Sequence, residues 1–345
     1  MTGSTLIRAA IAGTLALAVP SLGQGPSVPT PPPSAPTPTP TPTPAPPPAE
    51  AASPADLLAL KDSEIRMTVP VHIAGNGPYD FIVDTGSERT VVSRELAQDL
   101  AMQPGPDATV HSMTEVSRIP TVLLAGLRVG QRSIADIQAP AISRTYLGAA
   151  GILGVDTLQS TRVVLDFERR QMTVEPSLRY EGRWPEGTIV VTARNRFGRL
   201  MLVDAAVDGE RVYVIIDTGA EVTVANNALR RALERRHRLS PAQSISVVSV
   251  TGGRFTADYG VARMIRLGGA DIANLPIAFA DAHPFRQLEL LDRPAILLGM
   301  DALRLFSRVS VDFPNRRVKM LLPDSRRDGM ALLRPQGGMS MSATR

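Results

Sequence analysis

The 345-residue chain has no cysteine. Thiol catalysis, a cysteine-ligated zinc site, disulfide staples and lipid attachment at the end of a leader are excluded together. Lysine is nearly absent too: Lys61 and Lys319 are the only two, so arginine carries the basic charge almost everywhere. Aromatic residues make up 4% and do not interleave with the densest basic run, "RRALERRHR" at 230–238, which reads as an exposed helical face. A net charge of +4 arranged in this way does not describe a nucleic-acid surface. The four histidines, His72, His111, His237 and His283, are scattered with no metal-ligand spacing, and they read as surface or strand residues. No G-x-S-x-G elbow or phosphate loop occurs, so neither metal nor cofactor is expected.

Long apolar runs are also missing. Arg8 precedes the run Ala9–Val19, which is followed by Pro20 and small residues near Gly23. A spanning helix needs roughly 20 apolar residues, so residues 1–23 read as a cleaved leader, with a retained anchor as the alternative. The expected location is secreted or periplasmic, with no stable membrane insertion once the leader is cut.

Proline, by contrast, is concentrated. Residues 26–54 hold 14 of the 30 prolines. Such a segment cannot pack a core, and 24–64 is expected to be a disordered, semi-rigid spacer. At ~3.1 Å per residue its proline-rich part reaches on the order of 90 Å. Residues 323–345, rich in Arg, Gly and Ser, are expected to be a flexible tail. The stretch between is long enough for two domains with real cores.

That stretch repeats. "MTVPVHIAGNGPYDFIVDTGSERTVVS" in the first half and "LMLVDAAVDGERVYVIIDTGAEVTVAN" in the second give strand, turn, strand, then Asp-Thr-Gly. Helix-like stretches follow, then "AAGILGVDTLQ" and "PAILLGMDALR", then strand pairs around Asp-Phe. Asp84 lies 70 residues before Gly154, and Asp217 lies 82 before Gly299. Short β-branched strands separated by Gly or Pro turns make each half mainly β. The expected plan is a first lobe over 65–176, a connection over 177–195 and a second lobe over 196–322.

An aspartate directly behind Val214, Ile215 and Ile216 is anomalous, because a carboxylate is rarely buried without a partner. If Asp84 and Asp217 are each other's partner across a pseudo-twofold axis, the anomaly becomes chemistry. Two carboxylates about 3 Å apart cannot both ionise, so they share a proton. One then serves as base and the other as acid. Gly86 and Gly219 allow the tight turn that brings backbone N–H groups to the carboxylates.

Each half resembles a retropepsin-like aspartic protease subunit, and the tandem is similar to the pepsin pseudodimer. The resemblance rests on apolar-apolar-Asp-Thr-Gly-Ser/Ala-x-x-Thr and a downstream apolar-apolar-Gly, each present twice. It implies two retropepsin-like β lobes with one site between them, an aspartic endopeptidase acting on protein or peptide, and a monomeric pseudodimer. It also implies that Thr85 and Thr218 lock the loops by crossed hydrogen bonds, with Ser87 and Ala220 completing the loop supports. The alternatives are an inactive peptide-binding relative, or two sites formed by intermolecular dimerisation.

Four finer expectations follow. Flap tips are placed at Ser112–Val116 and Ser249–Arg254. Asp156 and Asp301 read first as helix N-caps, with bracing of Thr90 and Thr223 as the alternative. Val155 and Met300 stand where retroviral enzymes carry an arginine, so Glu88 and Glu221 are expected to lack that partner. Ser87 is expected to donate to the outer oxygen of Asp84, with a local turn cap as the alternative.

Overall fold

The computed structural model describes residues 9–11, 67–111, 116–130, 132–177, 184–196, 198–236, 238, 243–249, 254–323 and 333–335. The spacer 24–64, most of the leader and tail, and the flap tips at 112–115 and 250–253 lie outside the described residues.

The first lobe obeys the alternation in its sequence. In Thr68–Ile73, Val69, Val71 and Ile73 are buried while Thr68 and Pro70 are exposed. The next strand, Asn76–Val83, ends in three consecutive buried residues, Phe81, Ile82 and Val83. Phe81 and Val83 enter the main core, and Ile82 packs into a second cluster with Val91, Val110 and Leu147. A strand covered on both faces needs no polar alternate. Tyr213–Ile216 repeats this: Val214 and Ile216 face the main core, and Ile215 faces a cluster containing Met201, Phe285 and Leu297.

The two halves share one local topology. Gly151–Leu153 lies parallel to Asn76–Val83 and antiparallel to Val91–Ser93. Ala295–Leu298 lies parallel to Tyr213–Ile216 and antiparallel to Val224–Ala225. These arrangements carry Asp84 and Asp217 out of the middle of their sheets. The hairpin arms expected after each aspartate are present, Pro104–His111 against Val116–Leu124 and Gln243–Ser249 against Arg254–Leu267.

The halves are joined by a shared sheet. Thr161–Asp166 of the first pairs antiparallel with Arg308–Asp312 of the second, with Val164 opposite Ser310. Gln171–Pro176 flanks one side, and Arg317–Leu321 flanks the other. Thr188–Arg196, largely within the stretch read as a connection, is a strand against Arg317–Leu321. The main apolar core runs through both halves, from Val69 to Met320. The protein is mainly β with two lobes.

Both chain ends also add strands to the second lobe. Ala9–Ile11, inside the run read as a leader, pairs in parallel with Val247–Ser249, and Leu333–Pro335 pairs with Ala270–Ile272. No helix among the described residues is long and apolar enough to cross a membrane.

Candidate active site

Asp84 and Asp217 follow their apolar strands directly, and each backbone N–H is anchored at 3.0 Å, to the Leu153 and Leu298 carbonyls respectively. Both aspartates are completely buried. The inner oxygen of Asp84, Oδ1, accepts from Gly86 N and Ser87 N at 2.9 Å each. Asp217 Oδ1 accepts from Gly219 N and Ala220 N at 3.1 Å each. Both outer oxygens, Oδ2, are buried without a hydrogen-bond partner outside the pair. A Cβ on Gly86 would collide with the Asp217 carboxyl, and one on Gly219 with the Asp84 carboxyl. Each glycine is therefore fixed by the close approach of the opposite loop.

Thr85 and Thr218 lock the loops together. Thr85 N donates to Thr218 Oγ1 at 3.1 Å, and Thr218 N donates to Thr85 Oγ1 at 3.2 Å. Each hydroxyl then donates across the axis at 2.6 Å, Thr85 to the Ile216 carbonyl and Thr218 to the Val83 carbonyl. The two loops form one rigid unit built from both halves of a single chain.

The electrostatics follow from burial. Desolvation raises Asp84 well above the usual carboxylate range, and the neighbouring Asp217 charge adds to it. Asp217 is raised to about 6, again mainly by burial, with the Gly219 N–H, a hydrogen bond from Asp84, the Ala220 N–H and the Arg199 charge all pulling the other way. These titrations belong to the pair, and burial keeps at least one proton on it through the mildly acidic range.

Behind the loops, Gly154 N donates to Thr90 Oγ1 at 3.1 Å and Gly299 N to Thr223 Oγ1 at 3.2 Å. Asp156 does not cap its helix. That helix has Gly154 at the cap position without a side-chain bond, and the Asp156 carboxylate accepts from Thr90 N at 2.9 Å and Thr90 Oγ1 at 2.8 Å. Asp301 accepts from Thr223 N at 2.9 Å and Thr223 Oγ1 at 2.7 Å. Asp301 also accepts from Ala302 N of its own helix at 2.8 Å, so bracing of the threonine is the longer-range role of these carboxylates and is added to a local bond at the helix start.

Two further expectations are corrected. The Ser87 hydroxyl donates to the Arg89 carbonyl at 2.9 Å, so its proton is not available to the outer oxygen of Asp84. Ser87 supports its loop through its backbone N–H and a local turn. Glu88 does have an arginine partner, supplied by the other half: Arg199 Nη1 stands 3.5 Å from Glu88 Oε1.

Arg199 was not singled out by sequence reasoning. It is fully buried, heading the strand Arg199–Leu202. Its Nε donates to the Gly86 carbonyl at 3.1 Å and its Nη1 to Gln287 Oε1 at 2.6 Å. The available signal was an arginine opening the otherwise apolar stretch "RLML". Two histidines read as incidental also meet across the lobes: the rings of His111 and His283 stack with centroids 4.6 Å apart. Burial, the His111 ring and the Arg199 and Arg286 charges push His283 down to about 4. Among the described residues no cluster of His, Cys, Asp and Glu is arranged to hold a metal ion.

Comparison with known proteins agrees with this duplication. A family model described as gag-polyprotein putative aspartyl protease matches residues 69–160, and one described as aspartyl protease matches residues 203–302. A solved retropepsin-like aspartic protease from Rickettsia conorii is similar at 19% identity over 39% of this chain and 89% of its own, with a TM-score of 0.27. No curated protein matches. Each half carries one match enclosing one Asp-Thr-Gly loop, and the chain holds two aspartyl-protease family domains in tandem.

Proposed function

We propose that the protein is an aspartic endopeptidase with a single site between its lobes. The observation that carries this reading is that the two carboxyls interact with each other while their outer oxygens, Asp84 Oδ2 and Asp217 Oδ2, are buried with no other partner. A water held between them loses a proton to the ionised carboxylate as it attacks a peptide carbonyl. The protonated carboxyl gives its proton to the carbonyl oxygen, and the roles exchange as the amine leaves. The Thr85–Thr218 lock holds the carboxylates in place before substrate arrives, so little reorganisation is required in the transition state.

The substrate on this reading is an extended peptide lying between the lobes, and no metal or cofactor takes part. The active species is the monomer, since one chain contributes both aspartates. The leader-like run and the proline-rich spacer support a place outside the cell or in the cell envelope.

The test is hydrolysis of an unstructured protein, with and without pepstatin, by the parent and by Asp84→Asn and Asp217→Asn. Each variant is expected to lose nearly all activity while keeping its fold, because one carboxylate cannot be both acid and base. Activity within tenfold of the parent in either variant would refute the shared site. A folded parent that binds peptides without cutting them would identify a peptide-binding relative instead.

A further inference from the structure

A fully buried arginine beside a carboxylate pair calls for an explanation, because desolvating a guanidinium costs several kcal/mol unless anions offset it. The close partners of Arg199 are neutral: the Gly86 carbonyl at 3.1 Å and the Gln287 side chain at 2.6 Å. Its Nη2 is buried and makes no hydrogen bond. The nearest carboxylate, Glu88, stands at 3.5 Å, the outer edge of hydrogen-bonding distance, and its own burial raises its titration. The positive charge is therefore only partly answered by its immediate neighbours.

Its position shows where the rest of the field falls. Gly86 lies against the Asp217 carboxyl so closely that a Cβ there would strike it. Arg199 grips that same Gly86 by its carbonyl. The guanidinium and the Asp217 carboxyl thus both lie against the same glycine. At such range in a buried setting, Coulomb attraction is screened far less than at a surface.

We propose that Arg199 is a positioning residue for the dyad: a buried cation, held behind Gly86, that keeps one carboxylate of the Asp84–Asp217 pair ionised as the medium turns acid. Glu88 makes this adjustable. While ionised, Glu88 offsets part of the Arg199 charge and weakens its action on the dyad. The other charged groups around the unit are Arg89 and Glu221 on the two loops, His283 and Arg286 on the helix that carries Gln287, and His111 stacked on His283. His283 is neutral above about pH 4 and adds no charge over most of this range.

This inference rests on the peptidase reading for its rate measurement, but the ionisation itself can be followed without turnover. In Arg199→Met, the acidic limb of kcat/KM is expected to move to higher pH by about one unit, because the monoanion loses its cation. Arg199→Lys, which keeps the charge but not the planar fork, should return the limb to within about 0.3 unit of the parent while lowering stability. Glu88→Gln leaves the guanidinium in place and removes the offsetting charge, so its limb should move to lower pH; it serves if Arg199→Met does not fold. Carbon-13 titration of the aspartate carboxyls in the same proteins should move in the same directions. If the parent shows no proteolysis but these titrations shift, the peptidase reading fails and this one stands. Limbs and titrations superimposable on the parent's in Arg199→Met, or in Glu88→Gln, would overturn it.

Discussion

Removing one carboxylate should make the protein more stable, and only above a certain pH. Asp217 has an ordinary value of 3.8, and burial raises it to about 6. A carboxyl raised on folding binds its proton more tightly in the native state, so its contribution to stability is complete below pH 3.8 and is lost as pH rises through about 6. The loss is about 3 kcal/mol, at roughly 1.4 kcal/mol for each pH unit between the two values. Asn at 217 keeps an oxygen to accept from Gly219 N and Ala220 N but has nothing to ionise. Asp217→Asn should therefore match the parent near pH 3.5, subject to a constant offset, and gain about 3 kcal/mol relative to it by pH 7.5. Guanidinium unfolding of both proteins at several pH values between these limits measures the difference directly. The gain should develop mostly between pH 4 and 6, where the parent's unfolded state has given up the proton that its native state still holds. A difference in unfolding free energy that stays flat with pH would show that Asp217 titrates as an exposed carboxylate does, and the electrostatic account of the site would be wrong.

Thr85→Val should lower stability by on the order of 3 kcal/mol, because it leaves both the Thr218 N–H and the Ile216 carbonyl buried without a partner; an unchanged denaturant midpoint would count against the crossed lock. Ser87→Ala should leave the acidic limb of kcat/KM where it is, since the hydroxyl serves the Arg89 carbonyl, and a displaced limb would mean that Ser87 turns toward Asp84 during catalysis. Specific activity should be constant down to nanomolar enzyme; a fall on dilution, with dimers seen by sedimentation, would favour sites formed between chains.

The parts of the site that were legible in the sequence are those whose meaning is local and duplicated. Asp-Thr-Gly after an apolar strand, and the glycine that passes behind it, recur in the same order, and repetition marks them as a unit before any geometry is known. The misread parts depend on neighbours far away in the chain. Asp156 occupies the first turn of a helix, where a local rule suggests capping, but its partner Thr90 is 66 residues earlier. Arg199 reaches Gly86 across 113 residues and Gln287 across 88. Nothing in "FGRLML" announces either. The Ser87 hydroxyl had two acceptors within reach of its loop, and only the path of the backbone toward Arg89 decides between them.

The sheet in which Thr161–Asp166 meets Arg308–Asp312 has a consequence for how such a protein can change. When two identical subunits build a site, every substitution is made twice, and a residue that helps one side of the axis is imposed on the other. Here the two sides are separate stretches of one chain, held in register by strands that neither can withdraw alone. Each half is free to drift so long as the central pairing survives. The drift is already visible: Ser87 corresponds to Ala220, Val155 corresponds to Met300, and the loops between aspartate and supporting glycine differ by a dozen residues. A cleft with two unlike walls can grip a substrate in a single direction, and that is a freedom no symmetric pair possesses.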